Sequence, residues 1–185
     1  MQRASPSGLQ THLIGAVPNM RAFAISLCGD VDRADDLVQE TLVKAWKNID
    51  SFEEGTNLKA WLFTILRNTY FSEIRKRRRE VCVDDSTIEQ RLSVHPEQQG
   101  AADLSDFKKA LQQLGDDQRE ALILVGAEGF SYEEAAEIAG CAVGTVKSRV
   151  NRARARLSEI LGVNDGSEFG PDATNAAALI VGSRT

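Results

Sequence analysis

The stretch that decides the fold is Phe130–Leu157, FSYEEAAEIAGCAVGTVKSRVNRARARL. Its Ser131 and Glu134 have the spacing of a capping box, in which each side chain bonds free amide groups at a helix start. That short helix is predicted to end at Gly140, in a tight turn. Apolar residues with helical spacing resume near Thr145, which predicts a second helix after a tight turn. This arrangement is typical of a DNA-binding helix-turn-helix.

The second helix of this motif has two chemically different faces. Apolar residues recur at spacings of three and four and predict an inward face, formed by Val146, Val150, Ala153, Leu157 and Leu161. The opposite face suits contacts with base edges in the major groove and carries Lys147, Ser148, Asn151 and Arg152. Contacts with the DNA backbone, which fix register without reading sequence, are expected from the flanking Thr145, Arg149 and Arg156.

An arginine-rich helix can also be an ordinary solvated surface, and an isolated basic run does not decide between the two interpretations. From Val143 to Leu157, however, there are five basic residues and no acidic one, in a chain of net charge -5. The same segment follows a capped helix and a glycine turn. The combination favours DNA binding, because the positive charge lies on the element that a helix-turn-helix inserts into the groove.

Helical spacing also dominates the rest of the chain, where strand-like alternation is nearly absent. We therefore expect an all-α protein of two small helical domains. A first helix is indicated by Val17, Met20, Ala24 and Leu27. It ends near Gly29, a residue that tolerates the left-handed conformation common after helix ends. A second runs from Asp32 to Ile49 with a stripe of Ala34, Val38, Leu42, Ala45 and Ile49. A third has a predicted buried face, which makes its tryptophan a core residue: Leu58, Trp61, Leu62, Ile65, Leu66 and Thr69.

The helical periodicity fades before Leu104, in a stretch with Pro96, Gly100 and several acidic residues. We assign residues 9–80 to a first domain, 81–103 to an acidic flexible linker and 104–162 to the helix-turn-helix domain. Residues 163–185 are rich in glycine, alanine and small polar residues and have no apolar stripe. Such a composition predicts a flexible tail.

Composition argues against several classes of protein. Three scattered cysteines, Cys28, Cys82 and Cys141, lack the pairing of a disulfide framework or zinc site and fit a reducing cytoplasm. The first twenty residues lack an apolar core of signal-peptide length, and no later stretch approaches the ~18 apolar residues that span a bilayer. His12 and His95 are isolated, without a glycine-rich phosphate loop or an acid–base carboxylate pair. We expect a cytoplasmic protein that is not an enzyme, with no metal, cofactor, membrane partner or small-molecule substrate.

A second motif spans Ala34–Val81, ADDLVQETLVKAWKNIDSFEEGTNLKAWLFTILRNTYFSEIRKRRREV. A turn at Ser51 to Asn57 precedes an aromatic and basic helix, which suits single-stranded DNA because bases stack and phosphates need cations. Phosphate contacts with little sequence preference are expected from Arg75, Lys76, Arg77, Arg78 and Arg79. The second helix also offers acceptors to a basic partner, although alone they are more simply a solvated face: Asp36, Gln39 and Glu40.

This segment resembles the sigma-two domain of the extracytoplasmic-function (ECF) sigma factors, and the carboxy-terminal motif resembles their sigma-four domain. The likeness covers about Leu9 to Gly162. The run from VPNMRAFAISLCGD to GTNLKAWLFTILRN is similar to the alphaproteobacterial general-stress-response group, often called EcfG. The resemblance implies a factor that brings core RNA polymerase to stress-response promoters. Sigma-four would bind minus-35 DNA and the polymerase beta flap, and the linker would thread near the active-site channel.

The resemblance also implies roles for particular residues. It places one set against the clamp helices of the polymerase beta-prime subunit: Asp36, Gln39 and Glu40. It places Phe52 and Asn68 in a pocket for a flipped base of the minus-10 element, with phosphate contacts from Arg75, Lys76, Arg77 and Arg78. Asn151 departs from the pattern, because some relatives have an aromatic residue there. Base preference therefore cannot be carried over from the family.

Regulation by a small anti-sigma protein, NepR-like in the stress group, is a further implication of the resemblance. A phosphorylated regulator with a sigma-like decoy domain would then draw that inhibitor away. An alternative is that this chain is itself such a decoy, which binds the inhibitor but no promoter. The chain has no room for a receiver domain and keeps both basic faces, so a sigma factor is the preferred hypothesis. An ordinary repressor would leave the amino-terminal half unexplained.

Overall fold

The computed structural model describes residues 6–53, 55–81 and 101–162. Within these ranges it contains seven α-helices, a 3-10 helix at Ile49–Ser51 and no strand, which confirms the all-α prediction. The helices are α1 Pro6–Cys28, α2 Val31–Lys47, α3 Leu58–Val81, α4 Ala101–Gln112, α5 Asp116–Gly126, α6 Tyr132–Ala139 and α7 Val143–Leu161. They form two compact units, unit 1 with α1 to α3 and unit 2 with α4 to α7.

The core of unit 1 lies where α1, α2 and α3 pack against one another. The largest fully buried side chains there are Met20, Phe23, Leu27, Leu37, Leu62, Phe63 and Leu66. The rings of Phe23 and Phe63 join α1 to α3, with centroids 4.9 Å apart. Burial of each such side chain contributes about 1.5–3 kcal/mol. Packing therefore fixes the position of α3, which carries the basic segment of this unit.

The connection between α1 and α2 is short and its polar groups are bonded. The helix α1 ends before Gly29, which has φ 71° as the sequence predicted. The hydroxyl of Tyr70 donates to the carbonyl of Leu27 at 2.9 Å, so α3 bonds to a carbonyl in the last turn of α1. The carboxylate of Asp30 accepts a bond from the amide of Arg33 at 2.8 Å and caps α2. These bonds fix where both helices stop and start.

The predicted bounds and stripe of α2 were only partly right. The helix ends at Lys47 rather than Ile49, because the chain turns there into the 3-10 helix. Leu42 and Ile49 are half-buried, whereas Leu37 and Thr41 are buried beside Ala34, Val38 and Ala45. Since α2 contacts both α1 and α3, its buried arc is wider than a single stripe and is shifted towards Leu37.

The buried face of α3 was also misplaced in part. Phe63 and Tyr70 are buried, whereas Leu58, Trp61 and Ile65 are only half-buried. The prediction of Trp61 as a core residue was therefore wrong. The physical reason is the same as in α2. The helix α3 packs against both α1 and α2, so side chains that lie between these two contacts are buried, and side chains outside them are not.

In unit 2, the helix α7 packs against α4, α5 and α6. The predicted capping box is confirmed: Ser131 Oγ accepts from the amide of Glu134 at 3.1 Å, and Glu134 Oε2 accepts from the amide of Ser131 at 2.9 Å. Gly140 ends α6 with φ 62°, as predicted. The helix α6 and the turn after it are thus set by local chemistry, and packing on α7 completes the core.

Two charged residues lie in the core of unit 2, which the sequence did not predict. Glu120 is fully buried, and Arg119 is 5% exposed. The guanidinium of Arg119 donates to Gln112 Oε1 at 2.7 Å, to the carbonyl of Leu114 at 3.1 Å and to Asp116 Oδ1 at 3.1 Å. A buried charge is tolerated only when it is paired. Arg119 therefore ties together the turn between α4 and α5.

The predicted linker 81–103 and tail 163–185 fall largely on residues that the structure does not describe, 82–100 and 163–185. Val81 belongs to α3 and residues 101–103 to α4, so the helices extend into both ends of the predicted linker. Among the described residues, no helix is both long and apolar enough to cross a membrane.

Candidate nucleic-acid interface

The helix α7 presents most of the predicted minus-35 residues to solvent. It starts at Val143, slightly before the predicted Thr145. Its buried residues are Val146, Val150, Ala153 and Leu157. Leu161 was predicted to pack inward but is 37% exposed, because it is the last residue of the helix. The exposed set is Lys147, Asn151, Arg152 and Arg156, and the half-buried set is Thr145, Ser148 and Arg149.

Several polar groups on this surface are already ordered by bonds within unit 2. Ser148 Oγ donates to the carbonyl of Thr145 at 2.9 Å and accepts from Arg152 Nη2 at 3.3 Å. Lys147 Nζ lies 5.5 Å from the centroid of the Tyr132 ring, within range of a cation–π contact. The hydroxyl proton of Ser148 is thus used inside the helix. Lys147, Asn151 and Arg152 are the better candidates for donating to base edges.

The two other arginines of the predicted interface have acidic neighbours. Arg149 Nη2 donates to Asp117 Oδ2 of α5 at 2.7 Å, and its Nη1 donates to Cys141 Sγ at 3.6 Å. Arg156 pairs with Glu159 at 2.9 Å, where both side chains are more than half exposed. An exposed pair of that kind contributes about 0–1 kcal/mol and is easily exchanged for another anion.

In unit 1, the end of α3 carries the second basic surface. Arg75, Lys76, Arg77, Arg78 and Arg79 are all exposed. Arg75 Nη2 donates to Ser72 Oγ at 3.0 Å, and Arg79 Nε donates to the carbonyl of Arg75 at 3.3 Å. Positive charge at the carboxy-terminal end of a helix is favourable, because the last carbonyls carry partial negative charge. The segment therefore stays helical while it presents cations to solvent.

The predicted base-pocket residues of unit 1, Phe52 and Asn68, lie near Trp61, which was predicted to be a core residue. Phe52 follows the 3-10 helix and its ring lies 5.4 Å from that of the half-buried Trp61. Asn68 is exposed and accepts from Arg67 Nη1 at 3.4 Å. Trp61 and Asn68 are seven residues apart and thus share one face of α3. The Phe52–Trp61 pair and Asn68 form one candidate surface, to which the sequence alone did not assign Trp61.

The predicted polymerase-binding residues lie on the exposed face of α2. Asp36, Gln39 and Glu40 are exposed, and Glu40 pairs with Lys44 at 2.7 Å. The same face continues into Val43, 52% exposed, and Trp46, 55% exposed, which the sequence analysis missed. Both fall off the buried stripe of the helix, and that spacing was the available signal. A face that combines acceptors with exposed apolar side chains has the composition of a protein-binding surface.

An ion pair and burial shift the pKa values of Arg21, Asp35 and Cys28 in the described part of unit 1. Arg21 Nε donates to Asp35 Oδ1 at 2.6 Å, which lowers the pKa of the carboxyl and raises the pKa of the guanidinium. Burial raises the pKa of the Cys28 thiol to about 11, and the charges of Arg33 and Glu73 act on it in opposite directions. Cys28 is therefore a neutral thiol at ordinary pH, with little nucleophilic character.

Comparison with known proteins connects these surfaces to a function. The family description Sigma-70 region 2 matches residues 15–80, and Sigma-70, region 4 matches residues 104–157. The chain is 58% identical over 171 residues to the ECF RNA polymerase sigma factor EcfG of Rhodopseudomonas palustris (strain TIE-1), across 92% of this chain and 94% of that protein. The chain belongs to the ECF sigma factors. The resemblance inferred from the sequence is thereby confirmed.

Two further relatives agree with this assignment. The sigma factor is 37% identical over 134 residues to the ECF RNA polymerase sigma factor SigC of Mycobacterium tuberculosis, across 72% of each chain. It is 58% identical to the sigma factor RpoE from Bartonella quintana, solved in complex with the anti-sigma factor NepR. That match has a TM-score of 0.78 and covers 85% of this chain and 98% of the other. The family consists of transcription initiation factors rather than known enzymes.

Proposed function

We propose that this sigma factor directs transcription initiation at stress-response promoters, with unit 2 on double-stranded minus-35 DNA and unit 1 on the polymerase and the melted minus-10 strand. In this proposal residues 9–80 act as sigma-two, 104–162 as sigma-four, 81–103 as the linker and 163–185 as the tail. The observation that carries it is the exposed basic face of α7, presented by a capped helix and a glycine turn. The factor would have no chemistry of its own and would act in the cytoplasm, with the polymerase.

The argument for minus-35 binding rests on charge and geometry in unit 2. Lys147 and Arg152 lie on the solvent side of α7, about one turn and about two and a half turns from the start of the helix. A recognition helix reads bases with residues near its amino-terminal end. Lys147, Asn151 and Arg152 would contact base edges, and Thr145, Arg149 and Arg156 would contact phosphates. Ser148 would orient Arg152 through the 3.3 Å bond between them.

The argument for minus-10 binding rests on the candidate surface of unit 1. An extruded base needs an aromatic surface and a hydrogen-bonding group, while the strand needs cations. The Phe52–Trp61 pair would supply the aromatic surface and Asn68 the hydrogen-bonding group. The exposed basic residues at the end of α3 would supply the cations. Those cations are Arg75, Lys76, Arg77 and Arg78. Affinity from these contacts should fall steeply with salt.

The exposed face of α2 is the proposed docking surface for the polymerase. Asp36, Gln39 and Glu40 would accept bonds from basic residues of the beta-prime clamp helices, and Val43 and Trp46 would bury apolar area. Aromatic side chains commonly dominate the energy of such interfaces. Unit 2 would meet the beta flap while it holds the minus-35 element. Tethering both units to one polymerase raises the effective concentration of each at the promoter.

A NepR-like anti-sigma protein is the proposed regulator. The Bartonella quintana sigma factor, 58% identical to this chain, was solved with NepR bound. Such an inhibitor would cover the polymerase-binding surfaces. The decoy alternative is not favoured, because the matches at 58% identity are to sigma factors.

Run-off transcription with purified core polymerase tests the proposal. The wild-type protein should confer initiation at a stress-type promoter, and the combined replacement of Lys147, Ser148 and Arg152 by alanine should abolish it. A control with Lys108→Ala and Lys109→Ala removes two cations from α4 and should retain initiation. If the wild type supports no initiation at any promoter but binds a NepR-like protein tightly, the decoy function replaces this one.

A further inference from the structure

Arg149 is held between two other elements of unit 2. Its Nη2 donates to Asp117 Oδ2 in the first turn of α5 at 2.7 Å, and its Nη1 donates to Cys141 Sγ in the turn before α7 at 3.6 Å. The Arg149 side chain is 21% exposed and that of Asp117 is 54% exposed. The pair therefore lies at the margin of α7, where the buried side of the helix meets solvent.

The geometry leaves part of the guanidinium available to a further acceptor. An arginine carries five N–H donors in a rigid planar fork. The bonds to Asp117 and Cys141 account for one donor on each terminal nitrogen, and the remaining donors include a second one on each. Arg149 adjoins Ser148 and is one turn from Arg152, which faces solvent. An anion beside α7 can thus be bound while Asp117 keeps its own bond.

We propose that Asp117 is a positioning residue, which orients Arg149 for one phosphate of the minus-35 DNA. This inference rests on the proposed function and adds to it a specific residue outside the helix-turn-helix. A free arginine side chain loses much rotamer freedom when it binds. Anchoring it beforehand on α5 lowers that cost, which is the general benefit of preorganisation.

The alternative to a positioning role is that Asp117 weakens phosphate binding, and the test distinguishes the two. A carboxylate beside the DNA repels phosphates, and it can compete with them for the same guanidinium. If competition dominated, removing Asp117 would strengthen binding. The salt dependence separates the two effects, because each phosphate contact adds about 0.9 to the slope of log affinity against log salt concentration.

The experiment measures promoter binding by core polymerase loaded with full-length variants, on a promoter at which the wild type initiates, over a series of salt concentrations. The variants are Asp117→Ala, Arg149→Ala and the double substitution. The matched control is Glu133→Ala, which removes an exposed carboxylate from the first turn of α6. Thermal unfolding of each variant shows whether unit 2 remains folded.

We expect Asp117→Ala to weaken binding about twofold to fivefold and to lower the salt slope by a fraction of the ~0.9 that a complete phosphate contact contributes, because Arg149 is still present but is no longer held in place. Arg149→Ala should lower the slope by the full ~0.9, and the double variant should be no worse than Arg149→Ala. Glu133→Ala should keep the wild-type slope. A loss of folding stability alone would not change the slope.

Three results would overturn the inference: a higher affinity for Asp117→Ala, an unchanged slope, or an equal effect of Asp117→Ala in the Arg149→Ala background. Failure of the wild-type protein to form any promoter complex with polymerase would instead refute the proposed function. The two failures are therefore distinguishable.

Discussion

Replacement of the buried Arg119 by methionine should unfold unit 2 selectively. The Arg119 side chain is 7% exposed and donates to Gln112, to the Leu114 carbonyl and to Asp116. Methionine fills a similar volume but donates no hydrogen bond. Each of the three acceptors then loses its bond from Arg119, and the turn between α4 and α5 loses the side chain that connects its two ends.

The expected cost follows from the burial of these groups. Removing one partner of a buried charge pair costs about 3–5 kcal/mol. The Asp116 side chain is 30% exposed, so water restores part of its solvation. We therefore expect a loss of about 2–4 kcal/mol, which is a large share of the ~5–15 kcal/mol that stabilises a typical native protein. Minus-35 binding should weaken with it, because α7 packs on α5.

The two tryptophans make the assay specific, because Trp46 and Trp61 both lie in unit 1. In urea, tryptophan fluorescence should report the unfolding of unit 1 unchanged, while far-ultraviolet circular dichroism should show the unit 2 transition at lower denaturant. The control is Arg156→Met, which removes an exposed arginine from the same unit. If Arg119→Met unfolds at the same urea concentration as Arg156→Met, the reasoning on the buried guanidinium is wrong.

Three further predictions concern caps and titrating groups. Ser131→Ala should destabilise unit 2 by about 1 kcal/mol in urea unfolding, because α6 loses its cap. At neutral pH, mass spectrometry should show slower alkylation of Cys28 than of Cys141, because burial keeps the Cys28 thiol protonated. The free energy of unfolding should fall as pH rises from 9.0 to about 11, because in this range the Cys28 thiol ionises in the unfolded state but not in the folded state. The Asp35–Arg21 pair should stabilise unit 1 fully at pH values above the unfolded pKa of the Asp35 carboxyl. This stabilisation should be lost as pH falls through the lowered folded pKa of that carboxyl. Equal acid sensitivity of Asp35→Asn and wild type would contradict this.

Local signals explain which parts of the helix-turn-helix could be predicted. The bonds between Ser131 and Glu134 join residues three apart, and Gly140 acts through its own backbone, so neighbouring sequence contains the whole cause. The inward stripe of α7 was right for four residues and wrong for Leu161. Periodicity predicts the side of the helix on which a side chain lies. It does not predict whether a neighbouring helix extends far enough to bury that side chain, as at Leu161.

The residues predicted to contact DNA and polymerase lie on exposed surfaces of two helices. The structure places Lys147, Asn151 and Arg152 in solvent on one element, and it places Asp36, Gln39 and Glu40 on another. Exposure is compatible with these roles, yet the assignment of each residue to a base, a phosphate or a polymerase subunit stays a prediction. For α7, run-off transcription with the alanine variant of Lys147, Ser148 and Arg152 and the salt series on Arg149→Ala test the predicted DNA contacts.

By itself, the sequence determined the all-helical class, the presence of two helical units and the family, because helix periods, caps and motifs depend on residues close together in the chain. The tertiary structure alone decided which side chains are buried where a helix meets two neighbours, as for Phe63, Tyr70 and the half-buried Trp61. It also decided that Arg119 is tolerated in the core and that Asp117 reaches Arg149. Burial and charge pairing depend on partners that are distant in sequence, and only packing brings those partners together.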